Sequence, residues 1–145
     1  LQQKGVFWKG RVFMELELYT QGVQYLEEQR AIYDGQWLEN MEDQILTILA
    51  ELYIARQNYE AGIPLLEQTA ASLPGRALKE RAFFLLGQLN EFQGYTQNAF
   101  TAYNRVSDHY FNYEIQFEAQ KKKADVARHL GFQVVTDKRE FVSIT

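Results

Sequence analysis

The sequence contains no cysteine, and only two of its 145 residues are proline. The lack of cysteine excludes disulfide frameworks, thiolate zinc sites, iron–sulfur clusters and thiol catalysis, although it does not fix the redox compartment. No stretch approaches the 18 consecutive apolar residues expected of a membrane-spanning helix. An apolar content of 46% is enough for a sizeable core without metals or disulfides. These features are typical of an ordered globular protein.

An excess of positive charge is also lacking, since 19 acids outnumber 15 basic residues and the net charge is −4. Residues 1–14 carry Lys4, Lys9 and Arg11 and no acid, whereas residues 15–60 carry ten acids and two arginines. Nucleic acid as the main partner would require a dense basic footprint, which this balance does not provide. The run Lys121–Lys123 is the local exception, and a solvated helix flank is its simplest interpretation.

Apolar residues recur at three- and four-residue spacing along almost the whole chain, as in Ile45, Leu49 and Leu52. Pro74-Gly75 should end a helix, and Asn40, Asn58 and Thr96 are predicted N-caps. Convincing period-two alternation is confined to residues 133–136. The sequence therefore predicts an all-α fold of six or seven short helices in antiparallel pairs, at about 6–17, 20–33, 43–57, 58–72, 78–93, from 96 onward, and 112–130.

The helix pairs repeat. A small residue lies in the middle of each pair's first helix, and another follows twelve positions later; these residues are Gly10, Ala50 and Gly87, then Gly22, Gly62 and Ala99. The aligned copies are GRVFMELELYTQGVQYLEEQ, AELYIARQNYEAGIPLLEQT and GQLNEFQGYTQNAFTAYNRV. Small residues at these slots let helices cross closely while large ones fill the space between pairs.

This slot pattern resembles the tetratricopeptide repeat family. The resemblance implies antiparallel helix pairs stacked as an α-α superhelix, with repeats at 3–36, 43–76 and 80–113, a capping helix at 114–130 and a tail at 132–145. The chain starts at Leu1 and stops within the run 141–145, as expected for a piece of a longer array. The alternative to the repeat interpretation is a plain helical bundle.

Residues with catalytic or metal-binding chemistry are sparse and poorly placed. His109 and His129 are twenty residues apart on different predicted helices, without a partner at metal-ligand spacing. Ser107, Asp108 and His109 are adjacent in sequence and therefore point in different directions, so they cannot form a catalytic relay. No glycine-rich phosphate loop is present. The sequence predicts no enzyme, no cofactor, no metal and no small-molecule substrate.

The family resemblance implies a concave groove, lined by fixed slots of each first helix, that holds a partner peptide. Those slots also contain Lys4, Glu15, Gln44 and Ala55. The predicted partner-binding residues are Phe7, Arg11, Met14, Thr47, Glu51, Ile54, Arg81, Phe84, Gln88, Glu91 and Phe92.

Aromatic residues supply most of the predicted anchors. Trp8 and most other aromatics are assigned to core or repeat-interface slots, whereas Phe7, Trp37, Phe84 and Phe92 are left over. Exposed aromatic and arginine side chains dominate many binding energies. The alternative for Phe84 and Phe92 is packing against the next helix pair.

A narrower resemblance is carried by the run RALKERAFFLLGQLNEFQGYTQNAFTAYNRVSDHYFNYEIQFEAQKKKADVAR. It is similar to the tetratricopeptide lipoproteins of the bacterial type IX secretion and gliding machinery. That resemblance implies a periplasmic, outer-membrane-anchored scaffold; without it, the cytoplasm is the expected location. The predicted function is a non-catalytic scaffold that binds a protein or peptide. The alternative is a regulatory or RNA-binding helical repeat that uses Lys121–Lys123 and Arg128.

Overall fold

A computed structural model describes residues 2–107 and 118–124 of the chain. The described residues form helices and connecting turns without a strand, so the all-α class is confirmed. The helices are α1 (Gln2–Glu15), α2 (Tyr19–Ile32), α3 (Met41–Ala55), α4 (Tyr59–Thr69), α5 (Arg76–Phe92) and α6 (Thr96–Ser107). A 3-10 turn, Ala70–Ser72, continues α4.

Only part of the predicted C-terminal region can be compared with the structure. Residues 118–124, within the predicted capping helix, are helical. The remainder of that helix and the tail at 132–145 lie outside the described residues. His109, His129 and Arg128 lie outside them as well.

The chain divides into two compact units, Leu1–Ser72 and Leu73–Thr145. In the first unit α3 contacts α1, α2 and α4. This explains why the middle of α3 is enclosed, with every residue from Ile45 to Ala50 buried. The core of this unit consists of Val6, Val23, Leu26, Met41, Ile45, Leu46, Ile48, Leu49 and Leu52.

Glycines of the first unit lie where helices approach closely, as Gly10 and Gly22 show. A Cβ on Gly10 would lie 3.3 Å from both terminal carbons of Leu26, and one on Gly22 would lie 2.9 Å from the Cβ of Phe13. The same Cβ on Gly22 would be 3.0 Å from Leu52 Cδ1, on α3. The predicted reason for small residues at these slots, close helix crossing, is therefore confirmed here.

The second unit is built on the contact between α5 and α6. Tyr103 of α6 is completely buried, and its ring lies over Gly87 of α5, where an added Cβ would come within 2.7 Å of Tyr103 Cζ. The Tyr103 hydroxyl donates a hydrogen bond of 2.8 Å to Glu91 Oε1. The Phe84 and Tyr103 rings pack with their centroids 5.5 Å apart.

The helix ends agree with the sequence in part. Asn58 caps α4 as predicted, because its side-chain oxygen accepts a hydrogen bond of 3.3 Å from Ala61 N. The side-chain capping predicted for Asn40 is wrong: this residue precedes α3 in a left-handed conformation (φ 66°) and makes no cap hydrogen bond, whereas a capping side chain needs an extended backbone. Thr96 is the first helical residue of α6 rather than a residue before it.

The first helix starts earlier than its apolar pattern indicates, at residue 2 instead of residue 6. The side chain of Gln3 explains the extra turn. Its Nε2 donates a 3.0 Å hydrogen bond to the carbonyl oxygen of Gln36, and its Oε1 accepts a 2.8 Å hydrogen bond from Leu38 N. These long-range bonds fix the beginning of α1 to the loop that follows α2.

We expect Gly87→Ala to destabilise the second unit, because the new methyl group would collide with the buried Tyr103 ring. Overpacking of this kind costs about 1–3 kcal/mol, measurable by urea denaturation. Gly5→Ala is the matched control: Gly5 is also helical, but nothing lies within 4 Å of its added Cβ. Alanine should stabilise α1 by up to about 1 kcal/mol there. Equal effects at both positions would contradict the packing described.

Candidate functional site

The groove residues predicted on α1 are partly accessible. Phe7, Arg11 and Met14 are each half-buried, and α1 contacts α3 within the same unit. Phe7 and Met14 pack against the edge of the core, so each has one side in contact with protein and one side open. These residues have the accessibility that a binding surface needs.

The groove residues predicted on α3 are less accessible. Glu51 is half-buried, but Thr47 and Ile54 are buried. Thr47 Oγ1 donates a 2.7 Å hydrogen bond to the carbonyl oxygen of Asp43 and lies 3.2 Å from Thr69 Oγ1 on α4. Thr47 and Ile54 are therefore not accessible as the predicted groove requires, because both side chains are buried.

The groove residues predicted on α5 differ most from expectation. Arg81 and Phe92 are half-buried, whereas Phe84, Gln88 and Glu91 are buried. Phe84 is not an exposed anchor as predicted, because its ring packs on Tyr103 in the core of the second unit. Gln88 and Glu91 are likewise enclosed.

Polar groups inside α5 are a feature that sequence reasoning missed. Glu80 and Asn90 are buried together with Gln88 and Glu91. Asn90 Nδ2 donates a 2.8 Å hydrogen bond to the carbonyl oxygen of Leu86. This bond offsets part of the free-energy cost of burying the Asn90 amide. The sequence did contain a sign of this polar interior: Asn90 occupies a repeat position that is aromatic in the other two copies, as Phe13 and Tyr53.

The lysine run is only partly a solvated flank. Lys121 is exposed, but Lys122 and Lys123 are half-buried. Lys122 Nζ lies 3.9 Å from Glu91 Oε1, and Lys123 Nζ donates a 3.1 Å hydrogen bond to Asn104 Oδ1. The solvated-flank interpretation is therefore wrong for these two lysines, whose side chains contact other parts of the second unit.

Two tyrosines, Tyr53 and Tyr103, have the environments that disfavour ionisation most strongly. Burial, followed by the hydrogen bond to Glu27, raises the pKa of Tyr53 to about 12. Glu27 also pairs with Arg30 at 2.8 Å. Burial and the neighbouring Glu91 raise the pKa of Tyr103 far above its ordinary value. Both phenols therefore stay protonated donors near neutral pH, which suits structural hydrogen bonds better than proton transfer.

The most exposed large apolar side chain of α1 is one that the sequence assigned to packing. Trp8 is 59% exposed, so its assignment to a core or repeat-interface slot is wrong for the described structure. Its ring makes an edge contact with Phe7 (5.3 Å between centroids), and the Arg11 guanidinium lies 5.6 Å from its centre. Trp37, which had no assigned role in the sequence analysis, packs against the core of the first unit. Its ring centroid lies 5.0 Å from that of Tyr33.

Within residues 2–107 and 118–124, no group of three His, Cys, Asp or Glu side chains is placed to hold a metal ion. In the same part of the chain, no helix is both long and apolar enough to cross a membrane. Comparisons of the sequence with protein-family models and curated proteins, and of the structure with solved structures, found no match.

Replacing Phe84 by alanine should lower the free energy of unfolding by about 3–5 kcal/mol, the usual cost of removing a buried phenylalanine. Phe92→Ala, at a half-buried position of the same helix, should cost less. Urea denaturation monitored by circular dichroism measures both, and Phe84→Leu provides a milder variant if the alanine variant does not fold. A Phe84→Ala variant as stable as the native chain would mean that Phe84 is a surface residue.

The raised pKa of Tyr53 predicts a loss of stability in alkali. The unfolded chain ionises this phenol near pH 10, whereas the folded chain keeps the proton until about pH 12. The stabilisation is therefore complete below pH 10 and decreases as the pH rises from 10 to 12. Tyr53→Phe should show a shallower decrease in unfolding free energy over this interval. Parallel curves for the two proteins would show that the Tyr53 hydroxyl is in an ordinary environment.

Proposed function

We propose that this chain is a non-catalytic, tetratricopeptide-like scaffold that binds a peptide or protein segment along the first helices of its pairs. The supporting observation is the accessible surface of α1 and α3, where half-buried apolar side chains lie among polar ones. We define this surface as the inner face; it consists of Phe7, Arg11, Met14, Gln44 and Glu51.

The composition of the inner face supports peptide binding. Phe7 and Met14 offer apolar area already held against the core, so little side-chain freedom is lost when a ligand covers them. Arg11, Gln44 and Glu51 supply donors and acceptors that can set the register and direction of a bound chain. Apolar anchors with a few polar groups are the usual arrangement at such sites.

The structure also narrows the set of residues to which the proposal applies. Thr47, Ile54, Phe84, Gln88 and Glu91 are buried, so they would support the binding surface rather than contact a ligand first. Arg81 and Phe92 remain partly accessible on α5. The resemblance to secretion and gliding lipoproteins extends the proposal to a scaffold within a bacterial envelope assembly.

Binding of RNA, the alternative function, has weaker support. Lys122 contacts Glu91, and Lys123 donates a hydrogen bond to Asn104. Both ammonium groups therefore already interact with other residues of the protein. A nucleic-acid surface gains its affinity from cations that are available to phosphates. The observed contacts therefore favour a protein ligand.

Selection of a displayed peptide library on the native chain tests the proposed function, and the selected peptides are then measured on the Phe7→Ala/Met14→Ala variant. Selected peptides should perturb the amide resonances of α1 and α3, and the double variant should bind them at least about tenfold more weakly, a loss of ~1.4 kcal/mol. The matched control is Ile32→Ser, which changes an exposed apolar residue on α2. Peptides that perturb only other surfaces, or that bind the double variant equally well, would contradict the proposal.

A further inference from the structure

The side chain of Arg11, on the inner face, is oriented by an aromatic neighbour. The Arg11 guanidinium lies over the Trp8 ring, 5.6 Å from its centre and one helical turn earlier on α1. The Trp8 ring makes an edge contact with Phe7, whose ring packs against the core. A guanidinium that lies over an aromatic face keeps the N–H donors at its edge available. Arg11 therefore presents a planar set of donors whose orientation is restricted before a ligand binds.

This guanidinium lacks an acidic partner in the described part of the chain. Within residues 2–107 and 118–124, no hydrogen bond or ion pair joins it to another residue. Glu15, the one acid of α1, is exposed four residues later, whereas the Arg11 side chain lies towards Trp8, three residues earlier. Because Arg11 is half-buried, it has lost part of its hydration without gaining a charged partner. A carboxylate suits such a group, since it can accept two parallel N–H hydrogen bonds.

The chain's own repeats show that this position stays accessible when a helix pair precedes it. Glu51 takes the place of Arg11 in the second copy, forty residues later. The helices α1 and α2 precede α3 and contact it, yet Glu51 is half-buried rather than buried. Ile48, which takes the place of Trp8, is 2% exposed. A further pair before α1 would thus enclose the Trp8 ring and leave Arg11 accessible.

The charges around Arg11 favour a singly charged ligand group. Lys4 is exposed two turns earlier on the same side of α1, and it attracts any anion. Glu15, one turn later, and Glu51 of the inner face repel any anion. This repulsion is about twice as large for a phosphate group, which carries close to two negative charges, as for a carboxylate, which carries one. We therefore expect Arg11 to bind a carboxylate rather than a phosphate.

We propose that Arg11, positioned by Trp8, binds the side-chain carboxylate of an aspartate or glutamate in a peptide whose neighbouring apolar residues cover Phe7 and Met14. This inference rests on the proposed function, because Phe7 and Met14 lie four residues before and three residues after Arg11 on the inner face. Arg11 contacts the ligand, and Trp8 acts through Arg11. The site distinguishes aspartate from asparagine, because a carboxamide has only one oxygen that can accept from the guanidinium.

Titration of the full chain with two doubly capped tripeptides tests this carboxylate site. The probes are acetyl-Leu-Asp-Leu-amide and its matched control acetyl-Leu-Asn-Leu-amide, and the readout is the Arg11 Nε–H resonance. The aspartate peptide should bind about five- to tenfold more tightly, as expected for a charged hydrogen bond at a half-buried position. Arg11→Gln should abolish this preference. Arg11→Lys should lose most of it, because an ammonium cannot form the two parallel bonds.

The positioning role of Trp8 is tested by the same ratio of affinities. Trp8→Ala should reduce the preference for aspartate to about twofold or less, because the guanidinium is no longer held in one orientation. Trp8→Phe should restore most of the preference, since an aromatic face is again present. Ile32→Ser, at an exposed position of α2, should leave the ratio unchanged. Thermal unfolding of each variant separates a lost orientation from a lost fold.

Several results would overturn the proposal. Equal binding of the two tripeptides, or an unchanged preference in Arg11→Gln, would show that Arg11 does not select a carboxylate. Tighter binding of acetyl-Leu-Leu with a free C-terminus would identify a terminal carboxylate as the ligand group, and tighter binding of acetyl-Leu-phosphoserine-Leu-amide would identify a phosphate. Phe7→Ala/Met14→Ala should weaken both tripeptides and keep their ratio. Loss of the ratio alone thus contradicts the carboxylate site, whereas indifference to Phe7 and Met14 contradicts the proposed function.

Discussion

The packing of this protein depends on places where one helix has no side chain and its neighbour has a large one. At Gly22 the missing Cβ gives room to Phe13 and Leu52, and at Gly87 it gives room to the Tyr103 ring. Dispersion and apolar burial both increase when helices approach this closely. The complete burial of Leu52 on α3 and of Tyr103 on α6 follows from these contacts.

The second unit adds a polar chain of contacts to this apolar packing. Tyr103 donates to Glu91, and Glu91 lies near Lys122, so α6, α5 and residues 118–124 are linked through one carboxylate. A buried carboxylate is costly unless hydrogen bonds and counter-charges compensate it. The groups that hold the unit together thus also bury Glu91 and partly cover Lys122, although the sequence alone had placed both at the surface.

The sequence predicted the fold class, the helix positions within a few residues, and the glycines at close crossings, because periodicity and residue size are local properties. It did not predict the exposure of every large side chain. Trp8 and Ile48 occupy the same slot of their helices, yet one is exposed and the other buried, because exposure depends on whether a neighbouring helix is present. Phe84 was predicted to be exposed but is buried, since the slot pattern does not reveal that the Tyr103 ring packs against it. Asn40 shows a third limit: residue type indicated a cap, but the backbone took a left-handed turn.

The side chain of Gln3 has a mechanical consequence. Its two hydrogen bonds join residues 33 and 35 positions apart, and so tie the beginning of α1 to the loop after α2. A pulling force applied to the chain just before α1 would load this carboxamide, together with the hydrogen bond between Tyr33 and Gln2, before it could peel α1 from the core. The two bonds of Gln3 would be strained together, because both belong to one planar group. Resistance to unravelling at the beginning of α1 thus depends in part on an amide whose partners are backbone atoms. Any residue could supply those atoms at positions 36 and 38 except proline at 38, which lacks the N–H.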